Sequence, residues 1–181
     1  MNYVEPIRDT KKIAQLKEYF TKTNTRNLLL FTLGINTGLR ISDILSLKVN
    51  NIINFEFIEL KEKKTKKYKK IPITSAFKNL LKIGIKDKKP QDFIFNGAGS
   101  AKPITRIQAY RILHNACSKI GIDEKIGTHT LRKTFGYHFY KKTKDIVMLQ
   151  NILNHSSSDV TKRYIGITQD MIESELKNFI L

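Results

Sequence analysis

Within residues 127 to 166, GTHTLRKTFGYHFYKKTKDIVMLQNILNHSSSDVTKRYIG, stand His129, Arg132, His155 and Tyr164. His129 and Arg132 are three apart, so on a helix both side chains project from one face. That sets an imidazole and a guanidinium around one small anionic target. Arg offers a planar fork matched to phosphate, and His titrates near neutral pH and moves protons. Tyr164 lies beyond Ser156-Ser157-Ser158, a break that ends one helix and caps the next. A phenol beside an Arg/His cluster is a candidate nucleophile, because a nearby cation stabilises its phenolate. Taken singly, each residue has an ordinary use: an exposed His-x-x-Arg pair, or a half-buried Tyr ring with its hydroxyl satisfied.

Two upstream stretches extend the cluster. Thr37-Gly38-Leu39-Arg40 breaks a helix at Gly38 and sets Arg40 at a tight helix–helix junction, with Ser42 able to cap the next helix. Asp43 follows three residues later, close enough to hold the guanidinium by a charge-assisted bond. A plain surface pair is the commoner fate of that spacing. Farther on, Lys61-Glu62-Lys63-Lys64-Thr65-Lys66-Lys67 links two alternating segments. A lysine-rich turn is usually a solvated tip, but a two-stranded ribbon also fits a nucleic-acid groove.

Charge points the same way. The 181 residues carry 33 Lys plus Arg against 16 Asp plus Glu, a formal net charge of +17. Such a field favours a polyanion: DNA, RNA or an acidic membrane surface. No apolar run approaches the roughly 18 residues of a spanning helix, and Met1-Asn2-Tyr3-Val4-Glu5-Pro6 does not begin a signal peptide. A soluble, cytoplasmic protein is expected. Cys117 is the single cysteine, which excludes an internal disulfide and a cysteine zinc site; its apolar-periodic setting makes it a core thiol. His114 and His138 read as structural or surface residues, and no metal site is expected.

The elements that must position these groups can be read in order. Helices are expected over residues 9 to 22, capped by Asp9 or Thr10, over 25 to 36, apolar nearly all round, and from 41 to 47. Residues 52 to 60 and 67 to 74 read as the two strands of a hairpin. Further helices follow over 75 to 85, from Ile104 or Thr105 to Lys119, from His129 to Lys142, and through Val147 to Leu153. Phe93-Ile94-Phe95 reads as a short strand, and Asn96-Gly97-Ala98-Gly99-Ser100 as a turn without the ending of a phosphate-binding P-loop. Residues 168 to 180 read as a last amphipathic helix with Ile172, Leu176, Phe179 and Ile180 as its stripe.

Read in order, Arg40, the lysine-rich hairpin, His129-x-x-Arg132, Asn154-His155 and Tyr164 make the chain resemble the tyrosine recombinases, the family of phage integrases and chromosome-dimer resolvases. The resemblance spans nearly the whole chain and three ordered boxes. It implies an α+β, mostly helical catalytic domain with a small antiparallel sheet. It also implies that residues 1 to 181 form one catalytic domain, without the separate helical DNA-binding domain that relatives generally carry before it. Asn154 departs from the Gly that relatives place before the His; Asn is the best non-Gly residue for a left-handed conformation.

The resemblance further implies cleavage of double-stranded DNA by Tyr164, leaving a 3′-phosphotyrosine and a free 5′-hydroxyl, with no cofactor. Arg40 and Arg132 would clamp the phosphate, Asp43 would support Arg40, and His155 would donate a third bond. His129 would accept or orient the Tyr164 proton. The family lysine, counted eight residues back from Pro72, is Lys64, which would protonate the leaving oxygen; Lys63, Lys66 and Lys67 flank it and would contact DNA. The segment after Tyr164 would dock on a neighbouring protomer. Two other readings stay open: topoisomerase-like relaxation by the same chemistry, and a non-catalytic DNA-binding regulator on the same scaffold.

Overall fold

The computed structural model describes residues 4–167 together with 176, 177 and 179. Asp9 accepts the Lys11 N–H at 2.7 Å and opens α1 (Thr10–Thr23). Asn24 ends α1 and caps α2 (Thr25–Thr37), accepting the Asn27 N–H. Nearly all-apolar α2 is the centre of the molecule: Leu29, Leu30, Phe31 and Leu33 are fully buried, and it packs on α1 and on two later helices, α4 (Ser75–Gly84) and α6 (Thr130–Thr143). Gly38 ends α2 in the left-handed region (φ 63°), where a Cβ would meet the Phe135 ring at 2.6 Å. Only glycine serves at that corner.

Helix α3 (Ile41–Leu45) begins at once, and the residue at its N-cap is Arg40 rather than Ser42. The sheet is a three-stranded antiparallel meander of β1 (Ile52–Ile53), β2 (Phe57–Lys61) and β3 (Tyr68–Pro72), with Leu60 opposite Lys69 and Lys61 opposite Tyr68. The single strand expected over residues 52 to 60 is therefore two. Asn54 and Phe55 take positive φ (49° and 55°) and turn the chain, and Glu56 N–H closes the turn on Ile53 O. The strand expected at Phe93 to Phe95 is also absent: Phe93 makes one bridge to Lys48, while Ile94 and Phe95 are buried anchors. An apolar triplet carries the same pattern whether it pairs or only plugs the core.

Helix α5 (Arg106–Lys119) opens with a capping box of Thr105 and Gln108 and buries Cys117, whose thiol burial pushes up to about 11. Helix α6 carries His138, whose Nε2 meets Ile7 O at 2.9 Å, a structural role as expected. Helix α7 (Ile146–Leu153) and α8 (Ser158–Ile165) are capped by Asp145 and Ser157. The fold is thus mostly helical with a small antiparallel sheet. Two apolar clusters hold it: a large one around α2, and a small one of Leu149, Leu153 and Ile165 with Phe135, Phe139, Tyr140, Ile146, Tyr164 and Ile167. Among the described residues, no helix is long and apolar enough to cross a membrane. The helix expected over residues 168 to 180 lies outside the described residues, apart from Leu176, Lys177 and Phe179.

Candidate active site

Arg132 is 2% exposed, on the first turn of α6. Its Nη1 donates to Gly38 O and its Nη2 to Leu153 O, so one guanidinium joins the end of α2 to the end of α7. A guanidinium has five N–H donors, so these two bonds do not exhaust it. Arg40 approaches from the α2–α3 junction. The carboxylate it pairs with is not Asp43 but Glu62, Nη1 to Oε1 at 3.2 Å. Asp43 instead accepts the backbone N–H of Lys63 at 2.9 Å and so anchors the hairpin tip. At a helix start, Asp43 faces inward to the sheet, while the guanidinium at the N-cap is free to turn toward the hairpin.

His129 occupies the N-cap of α6 with an exposed side chain, and its Nδ1 lies 3.4 Å from the Tyr164 hydroxyl. Tyr164 stands on the last turn of α8. A Cβ on Gly136 of α6 would lie 2.6 Å from Ile165, so the absence of a side chain at Gly136 lets α8 come close enough to deliver the phenol. The His155 ring meets Tyr164 edge-on, with centroids 4.9 Å apart. Asn154, in the left-handed conformation expected of it (φ 50°, ψ 48°), ends α7 and sets His155 in place. His155 Nδ1 contacts Thr161 Oγ1 at 3.1 Å, which makes Nε2 the nitrogen available to a ligand. Lys63, Lys64, Lys66 and Lys67 are all exposed on the hairpin tip, and Lys64 is near enough to act on His155. The structure therefore gathers all six sequence-derived residues around one face.

Electrostatics refine the roles. Burial, then the Arg132, Arg40 and Lys64 cations, push His155 down to about 4, so it is neutral at pH 7. His129 is lowered as well, by packing around its ring and by Arg132, Arg106, Arg40 and Lys133. The phenol behaves otherwise than expected from its cationic neighbours. Burial raises the Tyr164 pKa, and Arg132 and Arg40 offset this only in part. A preformed phenolate is thus disfavoured, and the His129 imidazole stands within reach of the hydroxyl.

Glu62 was not legible as a site residue. Its side chain is fully buried, with Lys69 Nζ 3.3 Å from Oε1 and with Oε2 accepting from the Thr65 hydroxyl and, at 3.0 Å, from Asn154 Nδ2. Lys69 also donates to Ile152 O. The signal was present: Glu62 is the one acid in its lysine run and shares the inward parity of buried Ile58 and Leu60 on β2. A concavity of about 830 Å³ near Tyr110, His114 and Glu124 contains none of these groups. A duplex needs an open basic face, not a pocket.

Residues 8–170 match the phage integrase family over most of the chain. The chain belongs to that family. It is 50% identical over 179 residues to the probable integrase/recombinase YoeC of Bacillus subtilis, covering 99% of this chain and 98% of the relative. It is 29% identical over 180 residues to a tyrosine recombinase of Pseudothermotoga lettingae, of whose length it spans 62%. The fold superposes on a crystal structure of XerA recombinase with a TM-score of 0.79 at 18% identity, over 98% of this chain and 65% of that one. Against the catalytic domain of bacteriophage HP1 integrase the TM-score is 0.69 at 26% identity, over 97% and 95% of the two chains. Family membership makes this a tyrosine-type DNA strand transferase.

Proposed function

We propose that the chain breaks and rejoins duplex DNA at a specific site through a 3′-phosphotyrosine on Tyr164. The observation that carries the reading is the Tyr164 hydroxyl 3.4 Å from an exposed His129, beside the Arg132 guanidinium. Tyr164 Oη attacks the phosphorus and its proton passes to His129. The remaining Arg132 donors and Arg40 hold the non-bridging oxygens as charge builds on them, and His155 joins them through Nε2–H in the tautomer whose Nδ1 accepts from the Thr161 hydroxyl. The bond to the 5′-oxygen breaks, and Lys64 protonates that oxygen as it leaves. Reversal by a 5′-hydroxyl restores the phosphodiester and frees Tyr164, so the steps balance without ATP or metal. Two anionic DNA strands are drawn in by Lys63, Lys66 and Lys67, and by Arg106, which stands close enough to lower the pKa of His129.

The segment after Gly166 is proposed to couple protomers on DNA. Support comes from Leu176 and Phe179, 64% and 65% exposed, which an isolated chain leaves uncovered. A chain ending at Gly166 that assembled and cleaved like the full chain would remove that role. The central test is a nicked suicide duplex whose short 5′ fragment diffuses away after cleavage. Wild type should accumulate a covalent protein–DNA adduct, and Tyr164→Phe should form none while still binding DNA. Adduct at wild-type yield in Tyr164→Phe would overturn the assignment.

A further inference from the structure

We propose that Glu62 is a positioning residue for strand cleavage, holding Arg40 and the Asn154–His155 corner in register with the lysine tip. The proposal rests on the reading of Arg40 and His155 as phosphate ligands. A carboxylate with no solvent exposure is unusual in any protein, and in a chain of net charge +17 it has a specific job. Buried charge is tolerated only when it is paired. Glu62 is paired on both oxygens, and its partners come from the α2–α3 junction, the hairpin and the end of α7.

Oxygen Oε1 faces two cations, Arg40 from the α2–α3 junction and Lys69 from β3. Oxygen Oε2 takes the Thr65 hydroxyl, next to Lys64, and the amide of Asn154, next to His155. One side chain therefore spans the three segments that carry Arg40, Lys64 and His155. Arg40 Nη1 and Glu62 Oε1 are buried 3.2 Å apart without the alignment of a hydrogen bond. The carboxylate thus steers the guanidinium by charge through the buried Nη1 and leaves its other donors for a phosphate. Lys69 is engaged by Glu62 and by Ile152 O, so its ammonium braces the hairpin against α7 and is not the proton donor.

The chain-specific part is Asn154. A glycine would adopt its left-handed backbone with less strain, but could not reach Glu62. Asn154 is then kept for the amide bond to Glu62 as well as for the corner.

Glu62→Gln preserves the size and a carbonyl acceptor while deleting the charge. Single-turnover cleavage should fall roughly ten- to a hundred-fold, the scale of one charge-assisted contact at the transition state. DNA binding should hold or tighten, because the site becomes more positive; a general loss of structure would weaken both. In an Arg40→Ala background the same change should cost little more, since coupled residues are non-additive. Asn154→Gly should slow cleavage several-fold in the wild type and not in Glu62→Ala, which offers the amide no acceptor. Wild-type cleavage by folded Glu62→Gln, or its full effect persisting without Arg40, would overturn the proposal. Were Glu62→Gln not to fold, Asn154→Gly decides: an unchanged rate there overturns the tether. Full activity of Arg40→Ala would instead sink the phosphate-clamp reading, a separately visible failure.

Discussion

Arg40 and Tyr164 meet at one site but stand on very different supports. Arg40 projects from the corner between α2 and α3, backed by Leu29, Leu30, Phe31, Leu33, Leu39, Ile41 and Ile44, all buried in the large cluster. Tyr164 stands on the eight residues of α8, backed by Leu149, Leu153 and Ile165 and by rings that are only partly covered. Helix α6 is the rail between them, giving Leu131 to the large cluster and Phe135 and Phe139 to the small one. Opening free energy follows buried apolar contact, so the Arg40 corner is the rigid half and the Tyr164 perch the yielding half. A yielding perch suits the proposed nucleophile, which would bond a phosphorus and later release it.

The comparison is broken most severely by removing the clamp. Arg132→Ala and Arg40→Ala should each slow cleavage by about 10²–10³, the loss typical of one transition-state donor. Their stabilities should differ. Loss of Arg132 leaves Gly38 O and Leu153 O without their donor, at roughly 1–3 kcal/mol for each buried group left unpaired. Arg132→Lys should restore neither rate nor stability, because one ammonium lacks the fork that spans both carbonyls. Urea midpoints beside single-turnover rates check both statements; a fully active Arg132→Lys would mean that only the charge matters.

Next in size is the proposed proton donor. Lys64→Ala should lose cleavage on an ordinary duplex and regain it when the leaving 5′-oxygen is replaced by sulfur, which departs without protonation. Rescue should fail for Lys69→Ala, whose ammonium braces Glu62 and Ile152 O. The opposite pattern would exchange the two roles.

A smaller effect separates the base from the clamp by pH. His129 accepts a proton only while neutral, and its pKa lies below the usual 6.5 because of partial burial and the cations Arg132, Arg106, Arg40 and Lys133. Cleavage at saturating DNA should therefore hold through pH 6.5 and fall only at lower pH. Arg106→Ala removes one of those cations, which raises the His129 pKa and should move the acidic limb upward. An unmoved limb would take His129 out of the proton path.

How much of this was legible in the sequence differs between the same two regions. Box residues announce themselves by type and spacing, and Gly38, Asn154 and Ser157 announce the corners that aim them. Helices were readable because α2 is apolar nearly all round and α5 buries a periodic face, each opened by a capping residue. What was hidden depends on contacts between segments distant in sequence. Asp43 looked like the partner of Arg40 because it is three residues away, yet Glu62 won from twenty-two residues away through the hairpin. The phenol looked acidic beside two guanidinium groups until burial, invisible in the sequence, outweighed them. The β1–β2 turn was missed because Phe55 is a poor candidate for positive φ.

The finest test uses two glycines, one in the contact of α6 with α2 and one in its contact with α8. A Cβ on Gly34 of α2 would lie 2.5 Å from Leu131 Cδ1, and a Cβ on Gly136 of α6 would lie 2.6 Å from Ile165 Cγ2. Both substitutions add one methyl to a closed contact, a strain of about 1–3 kcal/mol, offset by up to about 1 kcal/mol of helix propensity. The chemistry is the same and the region is not. Gly34→Ala forces the large cluster apart, so it should lower the global unfolding midpoint while the folded fraction still cleaves at nearly the normal rate. Gly136→Ala pushes α8 outward, so the midpoint should hold while α8 amides exchange faster and cleavage slows a few-fold, because Tyr164 leaves His129. Hydrogen exchange resolved by segment, beside single-turnover cleavage, reads both. If Gly136→Ala lowered the global midpoint as much as Gly34→Ala and left α8 exchange unchanged, the small cluster would be part of one cooperative core, and the yielding perch would not exist.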